Sequence, residues 1–387
     1  MRDATLTAFR RVVDLCLAEG VDCLLLAGDL TTAAEKSLRA QLELQKALQR
    51  LAEAGIEAFL VTGNHDPLSS RSAALRWPPT AHLLGPEPEH HELRRGGELI
   101  GTVSGLSHAK PEVRENLAQG LQAPASPFAI ALLHCNLGGR ATHEPYAPCS
   151  LDDLLNSRFD YWALGHVHAP EIVRAANPTI VYAGSPQGLD INETGPHGCY
   201  HVVVDDARLV QARFVETSAA RWCAVRVDVA EVDREQALVD LLRERLGQVR
   251  DEVAGRTALV RVRLEGRAPL HGWLQGAQRC TDLAEELRDA EDPTGPCVWV
   301  ESVVDDTRPL VDLERHRAGQ DLLADFLRAA EQAEIEPEAR AAVRAALQPL
   351  LDRREMRGVW EPDDAGLLQV VRRAADLGVD LLLPEGE

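Results

Sequence analysis

Ile56-Glu57-Ala58-Phe59-Leu60-Val61-Thr62-Gly63-Asn64-His65-Asp66 is an apolar run that stops at a glycine and three polar side chains. The run reads as a short buried strand, and the polar residues fall just past its carboxyl end. Upstream, residues 21–27 repeat the pattern and stop at Gly28-Asp29. Downstream it recurs twice, where residues 128–133 lead into His134-Cys135-Asn136 and residues 161–164 into Gly165-His166-Val167-His168. Helical periodicity fills the intervals. Leu6, Phe9, Val12, Val13, Cys16 and Leu17 recur at three- and four-residue spacing, with Asp3 as N-cap and Gly20 as terminator. A second helix is expected over 35–54, carrying Leu44, Leu48 and Leu51. Helices alternating with short buried strands indicate a layered α/β domain.

The rest of the chain divides by pattern. Residues 76–97 are rich in Pro, Gly and charge and read as an irregular connection. Strands are expected at 179–183 and 199–204. Near Trp222 a smaller α/β module begins, with strands at 223–229, 258–264 and 297–304. It carries a helix near 234–246, which Asp233 and Gln236 would open as a capping-box-like pair. After Asp305 the chain is helical and charged, with an apolar face at Val343, Ala346, Leu347 and Leu350.

The 387 residues leave room for two or three domains. The formal charge of −20 argues against a surface coated in cations for non-specific nucleic-acid binding. It leaves open a local basic groove or a basic partner. None of the eight cysteines forms a Cys-x-x-Cys pair, so they read as small hydrophobes, not as a zinc knuckle or disulfide framework. No apolar run approaches a membrane span, and the N-terminus has no secretory pattern, so a cytoplasmic location is expected. No P-loop is present.

The four strand ends carry the chemistry. In α/β sheets, ligands gather beyond the carboxyl ends of strands. Asp29, Asn64, His134, His166 and His168 all fall there, with glycines at 28, 63 and 165 to let the backbone turn. A carboxylate, an amide oxygen and several imidazoles suit a pair of divalent cations about 3.5–4 Å apart, which clamp the attacking and leaving oxygens of a phosphoryl displacement. Asp29 is the natural bridging ligand. The absence of thiolates favours Mn²⁺ or a related metal over structural zinc. Each string alone has a bland reading: Gly28-Asp29 as a turn, Asn64-His65-Asp66 as a turn cap, and His134 as a core histidine. Gly165-His166-Val167-His168 is the most specific, because two histidines at alternate positions after a strand rarely serve packing.

These motifs, in this order, resemble the calcineurin-like metallophosphoesterase superfamily. The finer resemblance is to its SbcD and YhaO type of DNA-repair exonuclease. It rests on Tyr182-Ala183-Gly184-Ser185-Pro186-Gln187-Gly188 followed by Asn192-Glu193-Thr194-Gly195-Pro196-His197-Gly198-Cys199. The resemblance implies a layered β-sandwich flanked by helices over 1–220, a small α/β capping domain over 221–305, and a helical, partner-binding region over 306–387. It implies that Asp29 bridges two divalent ions, with Asn64, His134 and His166 on one and His168 on the other. His65 would not be a ligand but would face the scissile phosphate, stabilising charge or protonating the leaving oxygen. Asp66 would orient His65 or cap the turn, the turn being the favoured role. DNA, an SMC-like ATPase and homodimerisation through helices of the N-terminal domain are the partners implied.

One family feature is missing. The first strand of such proteins carries Asp-x-His, two further ligands, whereas here Asp3 is followed by Ala4-Thr5 and a helix. A late start in the sequence would explain this. A genuinely depleted site, acting as a non-catalytic scaffold for an ATPase, is the alternative, and a small-nucleotide phosphodiesterase is another. His90, His91 and His108 read as solvated or turn residues, His197 as a substrate contact or a loop residue, and Asp305-Asp306 as an acidic linker in preference to a metal site.

Overall fold

A computed structural model describes residues 3–30, 38–70, 76–139, 144–175, 177–292, 294–353 and 363–382. Helix α1 (Ala4–Glu19) buries Ala8, Val12, Val13 and Cys16, and it ends where Gly20 turns left-handed and donates to the Cys16 carbonyl. Asp3 stands at its N-cap without a side-chain capping bond. Strand β1 (Cys23–Ala27), helix α2 (Leu38–Glu53), β2 (Glu57–Val61) and β3 (Ala81–Leu83) follow. The predicted start of α2 at 35–37 lies outside the described residues. The three strands form a parallel sheet in the order β1-β2-β3. Its outer face packs Leu24, Leu26, Ala58 and Leu60 against the apolar stripes of α1 and α2.

A second, six-stranded sheet begins inside the segment expected to be irregular. Strands β4 (Glu89–Arg95) and β5 (Glu98–Gly105) pair antiparallel there, so His90 and His91 are strand residues. Alternate placement of Leu93 and Val103 toward the core, with charge on the other side, outweighs the Pro and Gly content that suggested a loop. Then come β6 (Ala129–His134), α3 (Leu151–Asn156), β7 (Tyr161–Gly165), β8 (Glu171–Arg174) and β9 (Thr179–Tyr182). The order is β4-β5-β6-β7-β9-β8, with parallel pairing from β5 to β9.

The two sheets pack face to face over Phe59, Val61, Ile130, Leu132, Tyr161 and Val181, giving the layered sandwich. Hairpin β10 (Gly198–Val204) and β11 (Val210–Glu216) pairs antiparallel. Strand β1 pairs only with β2 among the described residues, and although wholly apolar it is partly exposed along its whole length.

Strands β12 (Ala220–Asp228), β13 (Thr257–Arg267) and β14 (Val298–Arg308) make a third sheet. It is covered on one face by α4 (Glu235–Glu252), α5 (His271–Leu274) and α6 (Arg279–Asp289) through Leu238, Leu242, Val260 and Val300. Two expectations fail in this module. Helix α4 starts at Arg234 with no side-chain cap, because Asp233 pairs with the Arg234 guanidinium and Gln236 turns to Asp240. Asp305 and Asp306 lie in β14, where they bond Thr307 and Gln275, and Arg263.

Residues 308–387 form a separate compact unit. Its helices are α7 (Leu313–Arg317), α8 (Leu322–Ile335), α9 (Pro337–Leu351) and α10 (Asp364–Leu382). Leu323, Leu327 and Val379 make a small core, while no residue of α9 is buried. No described helix is long and apolar enough to cross a membrane. Buried Cys16, Cys135, Cys149 and Cys297 are free thiols that fill core space, and burial pushes the Cys16 thiol up to about 11.

Candidate metal centre

The carboxyl ends of β1, β2, β6 and β7 meet along one rim, because each sheet is parallel there and the two are stacked. Across that seam the ring of His134, at the end of β6, donates from Nδ1 to the carbonyl of Ala27, at the end of β1, at 2.8 Å. His134 is 1% exposed. With Nδ1 as donor, Nε2 of the neutral ring carries a lone pair. That atom lies 3.0 Å from Asn64 Oδ1 and 3.3 Å from Asp29 Oδ2. Three lone-pair donors aimed at one point need a positive charge among them, either a proton or a metal ion. A ring that donates its other N–H to a backbone carbonyl has the orientation typical of a metal-bound histidine. These residues fit a divalent cation.

The backbone is shaped for this convergence. Asp29 has φ 53° and His166 φ 95°, left-handed values that cost a non-glycine residue of order 1–3 kcal/mol and persist where a site demands them. Gly28 has φ 89° and supplies the turn expected of it, whereas Gly63 and Gly165 are there for space. A Cβ on Gly63 would strike the Asp29 carboxylate and the His134 ring, and one on Gly165 would strike the Ala27 carbonyl.

Burial pulls the Asp29 pKa upward. The His134 ring and the His65 amide outweigh it and hold the carboxyl below the usual carboxylate range, ionised and ready to bind a cation. The His65 backbone N–H donates to Asp29 Oδ1 at 2.9 Å, while the His65 side chain is exposed at the mouth.

Asp66 does more than cap its turn. It is 7% exposed and accepts from three amides: Gly63 at 2.7 Å, Asp29 at 3.1 Å and Leu30 at 2.9 Å. It therefore ties the β1 loop to the β2 loop and sets the approach of Asp29 to Asn64. Asp66→Ala orphans these donors at about 1–3 kcal/mol for each that water does not reach. The expected result is a loss of several kcal/mol, read as a lower urea midpoint at unchanged slope.

His108, expected to be a turn or solvated residue, is fully buried. Its Nε2 donates to the His134 carbonyl at 2.8 Å and its ring meets the His134 ring edge-on, so it backs the ligand from inside. Burial pushes it down to about 4 and keeps it neutral.

His166 lies beside His134, with ring centroids 5.3 Å apart, and donates from Nε2 to the Glu144 carbonyl at 2.9 Å. His168 stands apart from this group. Its Nδ1 is 2.5 Å from Glu193 Oε1, and the hydrogen bond to Glu193 outweighs burial to raise its pKa, with the Asp29 charge adding. The structure thus brings Asp29, Asn64, His134 and His166 together, and places His168 against Glu193 instead. Among the described residues no group of three His, Cys, Asp or Glu side chains surrounds a common point, and His166 turns its Nε2 to the Glu144 carbonyl. Sequence periodicity gave no role to His108 or to Glu193, which entered only as part of the 192–199 string. Both act through one long-range bond, which leaves no periodic mark.

Residues 2–170 match the family model for calcineurin-like phosphoesterases, and residues 222–308 match that for the middle domain of metallophosphoesterase YhaO. The uncharacterized metallophosphoesterase YhaO of Bacillus subtilis is 34% identical over 311 residues, which cover 79% of this chain and 75% of that protein. The chain belongs to the calcineurin-like phosphoesterase family. Among other relatives of this phosphoesterase, the DNA double-strand break repair protein Mre11 of Sulfurisphaera tokodaii is 29% identical over 47% of each chain. The SbcD component of the nuclease SbcCD from Bacillus subtilis is 25% identical, over 46% of this chain and 54% of its own. The phosphoesterase is thus a hydrolase related to DNA-repair nucleases, and its family uses divalent metals. It spans about half the length of these two nuclease relatives.

Proposed function

We propose that this phosphoesterase hydrolyses phosphodiester bonds of DNA with two divalent ions, Mn²⁺ in the cell, as a nuclease component of cytoplasmic DNA repair. The observation that carries the reading is the convergence of Asp29, Asn64 and His134 within 3.0–3.3 Å at the sheet seam, below an exposed His65. Asp29, Asn64, His134 and His166 would hold one cation, and Asp29 with His168 the other. Bound cations would activate water as the nucleophile and offset charge on the phosphoryl oxygens. The chain's own residues do the rest. Asp29 and Asn64 would hold the cations that attract the phosphate, and the His65 imidazole would donate a proton to the leaving oxygen from the solvent side.

The likeness to Mre11 and SbcD supports DNA as substrate and an SMC-like ATPase as partner. Within 308–387, the half-exposed Val343 and Leu347 and the exposed Ala346 and Leu350 of α9 give such a partner an apolar face. We assign residues 1–220 to the nuclease domain, 221–305 to the capping domain and 306–387 to partner binding, with N-terminal helices available for homodimerisation.

One observation favours a second reading, a non-catalytic scaffold: His168 and Asp29 alone face the second cation among the described residues. Degradation of linear duplex and single-stranded DNA with Mn²⁺, alongside cyclic nucleotides, decides among the readings. Metal-dependent DNA degradation that EDTA abolishes is expected. Turnover of cyclic nucleotides in preference to DNA points to a small-molecule phosphodiesterase, and inertness toward both leaves the scaffold.

A further inference from the structure

Glu193 lies outside the constellation above, yet its carboxylate is fully committed. Oε1 takes the His168 Nδ1–H at 2.5 Å and Oε2 accepts the Leu189 amide at 2.7 Å. A histidine bonded through Nδ1 to a carboxylate is held in the tautomer whose Nε2 lone pair points the other way.

The loop behind Glu193 is rigidly built. His197, 3% exposed, donates from Nε2 to the Glu193 carbonyl at 3.2 Å, and its Nδ1 accepts from Ser185 Oγ at 2.8 Å. Gln187, 2% exposed, accepts from the amides of Ala219 and Ala220 and donates to the carbonyls of Ala220 and Gly188. The Gly195 amide donates to the Trp222 carbonyl. The same loop is therefore bonded at one end to His168 and at two points to β12, the first strand of the third sheet.

We propose that Glu193 is the positioning residue for His168. It fixes the Nδ1–H tautomer, so that Nε2 addresses a cation, and it anchors the ring through the 187–198 loop to the capping sheet. This rests on the reading of His168 as a metal ligand. It assigns the Asn192-Glu193-Thr194 string a role in holding the metal site, not in touching substrate.

The test begins with the unmodified protein. Long-range ¹H–¹⁵N correlation spectra of the metal-free chain at about pH 9, where imidazole is neutral, report the His168 tautomer directly. The Nδ1–H form is expected, and an Nε2–H form in the wild type overturns the proposal. In E193A the preference is lost, and Mn²⁺ titration followed by EPR shows the weaker binding event weakened about 10–100-fold with the tighter one unchanged. E193Q, whose amide oxygen still accepts from Nδ1, falls between. An E193A chain that melts normally and keeps both tautomer and affinities within about twofold also overturns the proposal. Intact tautomer and Mn²⁺ results with no DNA cleavage would instead leave the positioning role standing and count against the nuclease reading.

Discussion

Under the proposed function, Asp29→Asn is expected to lower Mn²⁺-dependent DNA hydrolysis by on the order of 10³-fold or more, at the upper end of the loss from removing one transition-state-stabilising group. The substitution is nearly isosteric and keeps Oδ1 available to the His65 amide, so the fold survives and the melting temperature stays close to that of the wild type. What goes is the charge. Asp29 is the ionised carboxylate facing the Asn64–His134 group, its charge is also felt at His168, and no other acidic residue is shared in this way among the described residues. Mn²⁺ counting by EPR is expected to show both binding events weakened together. Loss of only one, or retention of about a tenth of the rate, would remove Asp29 from the shared position.

His65→Ala produces a different signature: turnover falls about 10²–10⁴-fold, the range for losing a general acid, while Mn²⁺ stoichiometry and affinity hold. The structural reason is a division of labour within one residue. The backbone N–H of His65 supports Asp29, and alanine preserves it, while the exposed ring takes no part in gathering Asp29, Asn64 and His134. A leaving group with a low pKa needs little protonation, so the deficit should shrink on p-nitrophenyl phosphodiesters relative to DNA. An equal deficit on both would assign His65 to charge stabilisation, not proton transfer. A wild-type rate would exclude it from the chemistry.

Much of this protein was legible along the chain. The strands at 23–27, 57–61, 129–134 and 161–165 are short apolar runs closed by Gly or polar residues, and local composition is enough to find them. Polar side chains just past those ends were legible for the same reason, since a buried strand has no local use for Asp29, Asn64 or His166. Patterning failed where a strand lies at a sheet margin. β3 is only three residues long and β4 is mostly charged and polar, Pro and Gly crowd the connections around both, and nothing local marks them as paired.

What only the tertiary structure decided is who meets whom. Asp66 sits in a turn motif yet joins loops 36 residues apart in the chain. His108 follows a strand as an unremarkable polar residue yet is buried against His134, 26 positions on. Glu193 lies in a loop yet holds His168, 25 positions earlier. The reasons for the glycines at 63 and 165 also became visible only when the two sheets closed and their missing Cβ atoms proved to be the space in which the seam forms. Sequence periodicity records which face of an element avoids water, and that determined the layers. A single hydrogen bond across a seam leaves no period, so the support behind each ligand was set by the packing of one sheet on the other.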